Sequence, residues 1–568
     1  MKLLSLHCDY IKFKPVQKAL KQPEELSDEQ KKEQTIKEAL VIFTAVEKGD
    51  SPEIVGSYLE NVKDIAKQVK AKNIVLYPYA HLSSNLSTPD DAESILKQAE
   101  SELKKDKEYQ VTRAPFGYYK EFELKCKGHP LAELSRELHV GDDGKTKVGE
   151  KYDAKQLLRQ ITKTKLDTSK LKENDHRILG QRLDLFSFNE AAPGMVFWHN
   201  NGWIIYNELS NFMREEIKKA GYQEISTPFI LDKKLWQISG HWEKYRENIF
   251  LTEYEGRQFA VKPMNCPGGM LVYKTSPKSY KDFPLRVAEF GIVHRQELSG
   301  VLAGLFRVIK FTQDDAHIFC LDEKQLEKEL IEVIKLIDKV YSKFGFKYSI
   351  ELSTRPERRI GSDDIWDKAE SVLESVLQKQ KIKFKVNKGE GAFYGPKIDF
   401  HLKDSLGRTW QCGTIQVDFA MPERFELEYI DKDNQRKKPI MVHRAILGSL
   451  ERFIGILLEH LNGNLPTWLS PIQCRVLSFT DRNIKASEKI LGRLKEAGIR
   501  ADSDFNPDTV NEKVRNAELM KIPYVVVIGD KEEKAGTIAV RQRGIKEIKQ
   551  MKAEEFIEII SNKIRKRE

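Results

Sequence analysis

Between residues 294 and 311 the chain carries His294-Arg295-Gln296-Glu297 and, across a glycine-containing loop, Arg307 and Phe311. Arg444 and Gly448 precede a long apolar stretch further on. A guanidinium fork fixes phosphate oxygens in position and orientation together, so arginines in such a set point to phosphate handling. The chain has no G-x-x-x-x-G-K-[ST] loop and no convincing G-x-G-x-x-G fingerprint, so a nucleotide would be bound by another geometry. Six cysteines (Cys8, Cys126, Cys266, Cys320, Cys412, Cys474) lie far apart with no C-x-x-C pair. That pattern argues against a disulfide framework and a local zinc knuckle, and any metal site must gather residues distant in sequence.

Such residues need a scaffold. LRVAEFGIVHRQE and RVIKFTQDD read as strands flanking SGVLAGLF, which predicts a long hairpin. Residues 203–220 place Tyr206, Leu209, Phe212, Met213 and Ile217 on one helical stripe, which Gly221 ends. The segment HRAILGSLERFIGILLEH (443–460) carries Ile446, Leu447, Leu450, Phe453, Ile454 and Leu457 at helical spacing and predicts one helix. The first 140 residues alternate apolar strand-like runs (LVIFTAVEK, NIVLYPYAH) with helices near 53–70 and 91–104, and VGDDGKTK marks a boundary. After PTWLSP, strands and helices alternate again, which predicts an α/β domain with a mainly parallel sheet.

At 568 residues the chain exceeds one hydrophobic core, and three domains or so are expected. No run approaches the roughly 18 apolar residues that a bilayer span requires, and the N-terminus lacks a cleavable leader pattern, so a cytoplasmic protein is expected. The net charge of +9 permits a polyanionic partner. Part of the excess concentrates at 145–182, with 11 Lys/Arg against 5 Asp/Glu, where a solvated linker and an RNA contact are both open readings.

The helix ending at Gly221 with the following strand, the 294–311 pair and the 444–448 segment resemble motifs 1, 2 and 3 of class II aminoacyl-tRNA synthetases. KPMNCPGG (262–269), HRQELSGVLAGLFRVIKFTQDDAHIF (294–319), GAFYGPKIDF (391–400), WQCGTIQVDF (410–419) and VHRAILGSLERF (442–453) further resemble threonyl-tRNA synthetases. The resemblance implies an antiparallel-sheet catalytic core over 186–465, ATP with magnesium, L-threonine and tRNA(Thr) as partners, and a homodimer formed through motif 1. It implies one zinc ion on Cys266, His317 and His443, with the fourth position open to substrate. Arg295, Arg307 and Arg444 would hold phosphates, Glu297 the adenine amino group and Phe311 the ring, with Lys397 and Gln411 as further nucleotide or adenylate contacts. Met264, Gln313, Asp315 and Tyr394 would form the threonine pocket, and His241 would assist transfer to the terminal ribose. A sister synthetase for proline or serine, a catalytically silent tRNA-binding paralogue and a stand-alone trans-editing factor are the rival readings; the trio with Asp315, the arginines and the complete catalytic block respectively stand against them.

LHCDYIKF, AVEKGD, VLYPYAHLSS, APFGYYKEF and CKGHPLAELSR resemble the archaeal editing domain, with its D-aminoacyl-tRNA deacylase-like fold. That resemblance, over 1–140, implies hydrolysis of mischarged Ser-tRNA(Thr) in a pocket of His81, Lys120 and Glu133, shaped by Pro78, Phe116 and Tyr119. No two histidines have the H-x-x-x-H spacing of the bacterial editing module. A linker over 141–185 and an anticodon-binding domain over 466–568, read through Arg515, Glu532 and Arg541, complete the expected α+β multidomain architecture. Two positions depart from the family pattern: Gly269 stands where many relatives carry histidine, and Ile309-Lys310 replaces a common Arg-Gly.

Overall fold

A computed structural model describes residues 1–20, 23–83, 85–138, 154–161, 171–403 and 407–568. The expected boundary near 140 and much of the basic 145–182 stretch lie outside these residues. The chain divides into two compact units, Met1–Tyr152 and Asp153–Glu568.

The first unit is a mixed sheet built from β1 (Lys2–Lys18), β2 (Gln34–Ala45), β3 (Asn73–Pro78), β4 (Gln110–Arg113), β5 (Tyr118–Cys126) and β6 (Glu133–Glu137), with the helices α1 (Ile54–Val69) and α2 (Pro89–Lys104). Strand order is β4-β3-β2-β1-β5, with β6 also paired to β1. Leu40, Ile42, Ile74 and Leu76 pack on the helical side, while Val41, Phe43, Val75 and Tyr77 fill the other side. Burial of both faces explains why the sequence of β2 reads as a continuous apolar run rather than an alternating one.

In the second unit α3 (Ala154–Ile161) and α4 (His176–Arg182) precede α5 (Asn200–Lys219), whose stripe of Tyr206, Leu209, Phe212, Met213 and Ile217 is buried. An eight-stranded sheet follows, made of β7 (Gln223–Glu224), β8 (Leu285–His294), β9 (Lys310–Cys320), β10 (Tyr348–Ser353), β11 (Phe384–Asn387), β12 (Lys397–Lys403), β13 (Thr409–Asp418) and β14 (Ile440–Ala445). Its order is β11-β10-β12-β13-β14-β9-β8-β7, antiparallel except at the two outermost pairs. The predicted hairpin is β8–β9. The helix expected at 443–460 starts only at Leu450, as α9 (Leu450–His460) when α6 (Cys266–Tyr273), α7 (Glu323–Lys343) and α8 (Asp363–Lys379) are counted before it. Residues 440–445 are strand instead. Gly448, at φ +75° and with room for no β-carbon beside the Cys412 carbonyl, turns the chain, and the Ser449 hydroxyl caps Arg452 N–H at 3.0 Å.

The last hundred residues form β15 (Cys474–Ser478), β16 (Ala501–Asp504), β17 (Tyr524–Ile528), β18 (Ile538–Gln542) and β19 (Ile548–Met551), with α10 (Ile484–Glu496), α11 (Val510–Leu519), α12 (Asp530–Ala535) and α13 (Ala553–Lys566). The sheet is less parallel than expected: β15 pairs in parallel with β16 and β17, but β17–β18 and β18–β19 are antiparallel. Connections of 529–537 and 543–547 are too short for a parallel crossover, which needs a dozen residues or more.

One buried ion pair ties the segment after α5 to the strand leading into α6. Lys262, fully buried, donates to Glu289 Oε1 at 2.8 Å, and the same carboxylate accepts the Thr227 N–H and hydroxyl at 2.9 and 2.8 Å. Removing one member leaves a buried charge without a partner. Lys262→Met is therefore expected to cost about 3–5 kcal/mol, lowering the thermal midpoint, and adding Glu289→Gln should recover much of the loss. Equal midpoints for the single and double variants would show that the pair carries no such strain.

Candidate active site

Side chains alternate across a strand, so residues two apart share a face. On β9, Phe311, Gln313, Asp315 and His317 therefore line one side of the sheet. His317 lies opposite His443 of β14, which in turn lies opposite Gln416 of β13, itself opposite Lys397 of β12. The other side carries Ile318, Val442, Ile446, Val417, Ile398 and Phe400, all in the core beneath the helices. A cavity of about 420 Å³ opens over the polar side.

At one end of this cavity Cys266, at the start of α6, joins His317 and His443; one ligand-type atom from each lies within 4.8 Å of the others. All three are buried, and His317 Nε2 has no hydrogen-bond partner among the described residues. A buried imidazole nitrogen without a partner, beside a thiol and a second imidazole, fits a zinc ion with a position open toward the cavity. Burial, with Asp315 and Asp418 nearby, pushes the Cys266 thiol well above its usual range; a divalent cation would reverse that preference. His443 Nε2 meets Asp418 Oδ2 at 2.9 Å, which orients the ring and leaves Nδ1 for a metal. Asp418, itself held by the Ala420 and Met421 amides, had no role in the sequence reading although WQCGTIQVDF contains it.

Asp315 faces the cavity beside the trio, and Asn265 donates to its Oδ2 at 3.1 Å. Burial raises its carboxyl above the usual range, opposed by the neighbouring His443 and Asn265. Gln313, Met264 and Tyr394 line the same region, and the Tyr394 hydroxyl donates to Gln416 at 3.0 Å. His241 is wholly buried between the Ser239 hydroxyl (2.8 Å) and Met264 Sδ (2.7 Å), and burial drops its imidazole to about 3. It is a neutral imidazole.

The far end of the cavity gathers cations. The Arg295 guanidinium lies 5.1 Å from the Phe311 ring centre, and Arg307 pairs with Glu297 at 2.8 Å. Lys397, Gln411 and Thr414 converge on the buried carboxylate of Asp399, with Ser353 donating from beneath. The proposed role of Arg444 meets a different geometry. Alternation along β14 turns its side chain away from that of His443. It is 1% exposed, and its Nη1 donates to the Asp314 carbonyl at 2.7 Å. Asp314, whose carboxyl burial raises to about 6, also accepts the Ile446 and Leu447 amides at 2.8 and 2.9 Å. Asp314 thus fastens β9 to the turn before α9, with Arg444 donating to its carbonyl. Arg452, from the first turn of α9, lines the cavity together with Arg295, Arg307 and Arg444, and it bonds the Phe306 and Gln411 carbonyls at 2.8 Å each. The Ser449 cap three residues earlier is the sequence signal that could have placed it.

In the first unit a cavity of about 440 Å³ is lined by Pro78, His81, Phe116, Tyr119 and Lys120. Lys120 donates to the Pro115 and Tyr118 carbonyls at 2.9 and 3.1 Å and sits 5.0 Å from the Tyr77 ring centre. Glu133 does not join them. It is exposed on β6 opposite Leu6, whereas Lys120 lies opposite Pro15 of the same strand. Nine residues at about 3.3 Å each separate those positions by on the order of 30 Å. Among the expected anticodon readers, Glu532 accepts the Gly529 N–H at 3.0 Å and Gln550 Nε2 at 2.8 Å; Arg541 is half-buried on β18 and Arg515 exposed on α11.

Three family models match the chain: the archaea-specific editing domain of threonyl-tRNA synthetase over 1–138, the class II tRNA synthetase core domain (G, H, P, S and T) over 250–461, and an anticodon binding domain over 473–563. The solved RNA binding domain of threonyl-tRNA synthetase from Cryptosporidium parvum Iowa II is 40% identical, with a TM-score of 0.67; the match covers 68% of this chain and 98% of that one. The chain belongs to the threonyl-tRNA synthetase family. The Aeropyrum pernix protein ThrRS-1 is 29% identical over 69% of this chain and 96% of its own, with a TM-score of 0.60. The threonine–tRNA ligase of Carboxydothermus hydrogenoformans is 53% identical over 396 residues, 70% of this chain and 62% of the relative. That of Natranaerobius thermophilus is 55% identical over 372 residues, 66% and 58%. The chain thus spans about three fifths of the length of these curated relatives. The α+β multidomain architecture stands. No helix among the described residues is long and apolar enough to cross a membrane.

Burial lowers the Lys120 ammonium from 10.5 to about 8. The folded state therefore binds its proton less tightly than the unfolded chain. The resulting penalty is fully present below about pH 8 and disappears as pH rises through 10.5, so this residue's contribution to stability improves over that window. Lys120→Met should protect the first unit against hydrogen exchange at pH 7 relative to wild type, with the gain shrinking toward pH 10. A gain that stays constant with pH would contradict the assignment.

Proposed function

We propose that the chain ligates L-threonine to tRNA(Thr) with ATP and hydrolyses Ser-tRNA(Thr) in its first unit. The observation that carries this reading is the gathering of Cys266, from the start of α6, with His317, His443 and Asp315 of one sheet face beside a cleft that Arg295, Arg307 and Arg452 line. In the first step the threonine carboxylate attacks the α-phosphate, the bond to the β-phosphate breaks and pyrophosphate leaves. Arg295 holds the α-phosphate, and Phe311, with Arg295 against its ring, supports the adenine. Glu297 accepts from the adenine amino group once Arg307 turns to the phosphates. Arg452, in place of Arg444, takes the terminal phosphate, with magnesium accompanying ATP. Preorganised charge of this kind lowers the barrier because it needs no rearrangement as charge develops.

Cys266, His317 and His443 would hold a zinc ion, which when bound would supply a Lewis-acidic contact for the amino group and β-hydroxyl of threonine; valine, without the hydroxyl, would satisfy it less well, a distinction an apolar pocket could not make between near isosteres. Asp315, oriented by Asn265, accepts from the ammonium, and Met264, Gln313 and Tyr394 close the pocket. Neutral His241 assists the ribose hydroxyl in the transfer step, in which the adenylate carbonyl is attacked and AMP leaves.

Serine lacks one methyl, worth ~1–3 kcal/mol in a pocket, so a second hydrolytic site is expected. The cavity of His81, Phe116, Tyr119 and Lys120 is suited to it, with Lys120 positioning the ester and the terminal ribose. Division into 1–140, 141–185, 186–465 and 466–568, anticodon contact through Arg515, Glu532 and Arg541, a homodimer formed through α5 and a cytoplasmic location complete the reading.

Purified protein should exchange pyrophosphate into ATP with threonine, more weakly with serine and negligibly with valine; removing bound metal by chelation should abolish this, and zinc should restore it. No exchange with threonine in zinc-replete protein would overturn the assignment. Arg452→Ala should raise the KM for ATP by tenfold or more, about 1.4 kcal/mol, with the KM for threonine little changed. An unaltered ATP KM would return the phosphate role to Arg444.

A further inference from the structure

A second cluster of ligand-type side chains, Asp175, His176 and Glu459, brings its atoms within 4.8 Å of one another in full burial. Both imidazole nitrogens of His176 are already committed. Nδ1–H donates to Glu459 Oε1 at 2.8 Å, and Nε2 accepts the Leu305 N–H at 3.0 Å. Accepting at Nε2 fixes the neutral tautomer with its proton on Nδ1. Glu459 Oε1 also takes the His176 N–H at 3.2 Å, and its other oxygen takes Arg408 at 2.6 Å. Asp175 caps α4 through the Arg177 N–H and pairs with the Arg177 side chain. The cluster is a hydrogen-bond relay running from α9 through α4 to the loop between β8 and β9.

That loop carries Arg307. Immediately before it, residues 304–306 form a single tight turn gripped from two directions. His176 holds the Leu305 amide from one side, and Arg452 donates to the Phe306 carbonyl from the other. The His176 ring also packs 4.2 Å from Phe306, which lies 4.2 Å from Trp410. Gly304, at φ +55°, leaves no room for a side chain, because a β-carbon there would sit 2.3 Å from His176 Nε2.

We propose that His176, at the start of α4 and outside the cavity itself, is a positioning residue for the nucleotide half of the active site. It sets the turn that aims Arg307 and Phe306 into the cleft. This rests on the ATP-binding reading above and goes beyond it by assigning the residue that orders the loop. His176 does not line the cavity, so it acts on ATP only through the turn. Asp315 and His317 lie on β9, His443 on β14 and Cys266 at the start of α6, none of them bonded by the relay, so threonine binding should be insensitive to it.

Two substitutions separate the bonds. In His176→Asn the amide nitrogen can replace Nδ1 and keep Glu459, but nothing reaches the Leu305 N–H. In His176→Gln the carbonyl oxygen reaches the Nε2 position and keeps Leu305. Hydrogen–deuterium exchange of peptides spanning 300–308 in the full chain reads the loop directly. Pyrophosphate exchange reads the KM for ATP and for threonine, and calorimetry with ATP reads binding without turnover. His176→Asn should lose protection at 300–308 and raise the ATP KM on the order of tenfold, as loss of positioning does, with the threonine KM and melting temperature near wild type. His176→Gln should restore both. Unchanged protection and ATP affinity in His176→Asn would overturn the proposal, as would equal losses for ATP and threonine with a lowered melting temperature in both variants. Wild-type protein that binds ATP but exchanges with no amino acid would count against the ligase reading alone, and loop protection with ATP calorimetry would still decide the role of His176.

Discussion

In the pairing of β9 with β14, His317 lies opposite His443 and Asp315 opposite Ala445. The two-residue period of the strands carries that register across the sheet, so Gln416 and Lys397 fall on the same side while Val442, Ile318 and Phe400 fall on the other. A slip of one residue would exchange the two faces, burying the imidazoles among the helices and turning isoleucines into the cleft. The apolar face resists such a slip because its burial against α7, α8 and α9 would be lost with it. The same register that builds the core therefore builds the site.

Two buried carboxylates beneath the cleft are held by protein donors. Asp399 collects Lys397, Gln411, Thr414 and Ser353, and Asp314 collects Arg444 with two amides of the turn before α9. Each carboxylate is costly to bury alone and tolerable when surrounded by donors. Among the described residues, His317 Nε2 at the cavity has no hydrogen-bond partner, and Asp315 has Asn265 on one oxygen. Atoms left open toward the cavity are what a preorganised site offers to a ligand.

The first unit solves a different problem with a different sheet. Its cavity is mostly aromatic and apolar, and its one cation, Lys120, is held at two carbonyls over a tyrosine ring with its ammonium destabilised by burial. A lysine so placed is poorly hydrated and gains from an approaching polar ligand.

Local signals determined much of this protein. The stripe on α5 and the strands of the β8–β9 hairpin follow from periodicity in the sequence alone, because each depends on residues a few positions apart. The family motifs singled out Cys266, His317 and His443, which the fold gathers from positions 51 and 126 residues apart. Other assignments depended on which face a strand turns inward, and short-range patterns do not contain that. Arg444 and Arg452 look equally suited to a phosphate in sequence; only the β14 register and the turn at Gly448 hold the first against Asp314 and set the second at the Phe306 carbonyl. Asp418 and Asp399 looked like ordinary strand residues until the neighbouring strands brought partners to them. Glu133 and Lys120 stand 13 residues apart in the chain, yet their pairing with opposite ends of β1 separates them. Periodicity is written along the chain, whereas facing is decided across it by long-range strand pairing, and the chemistry of the cleft depends on facing.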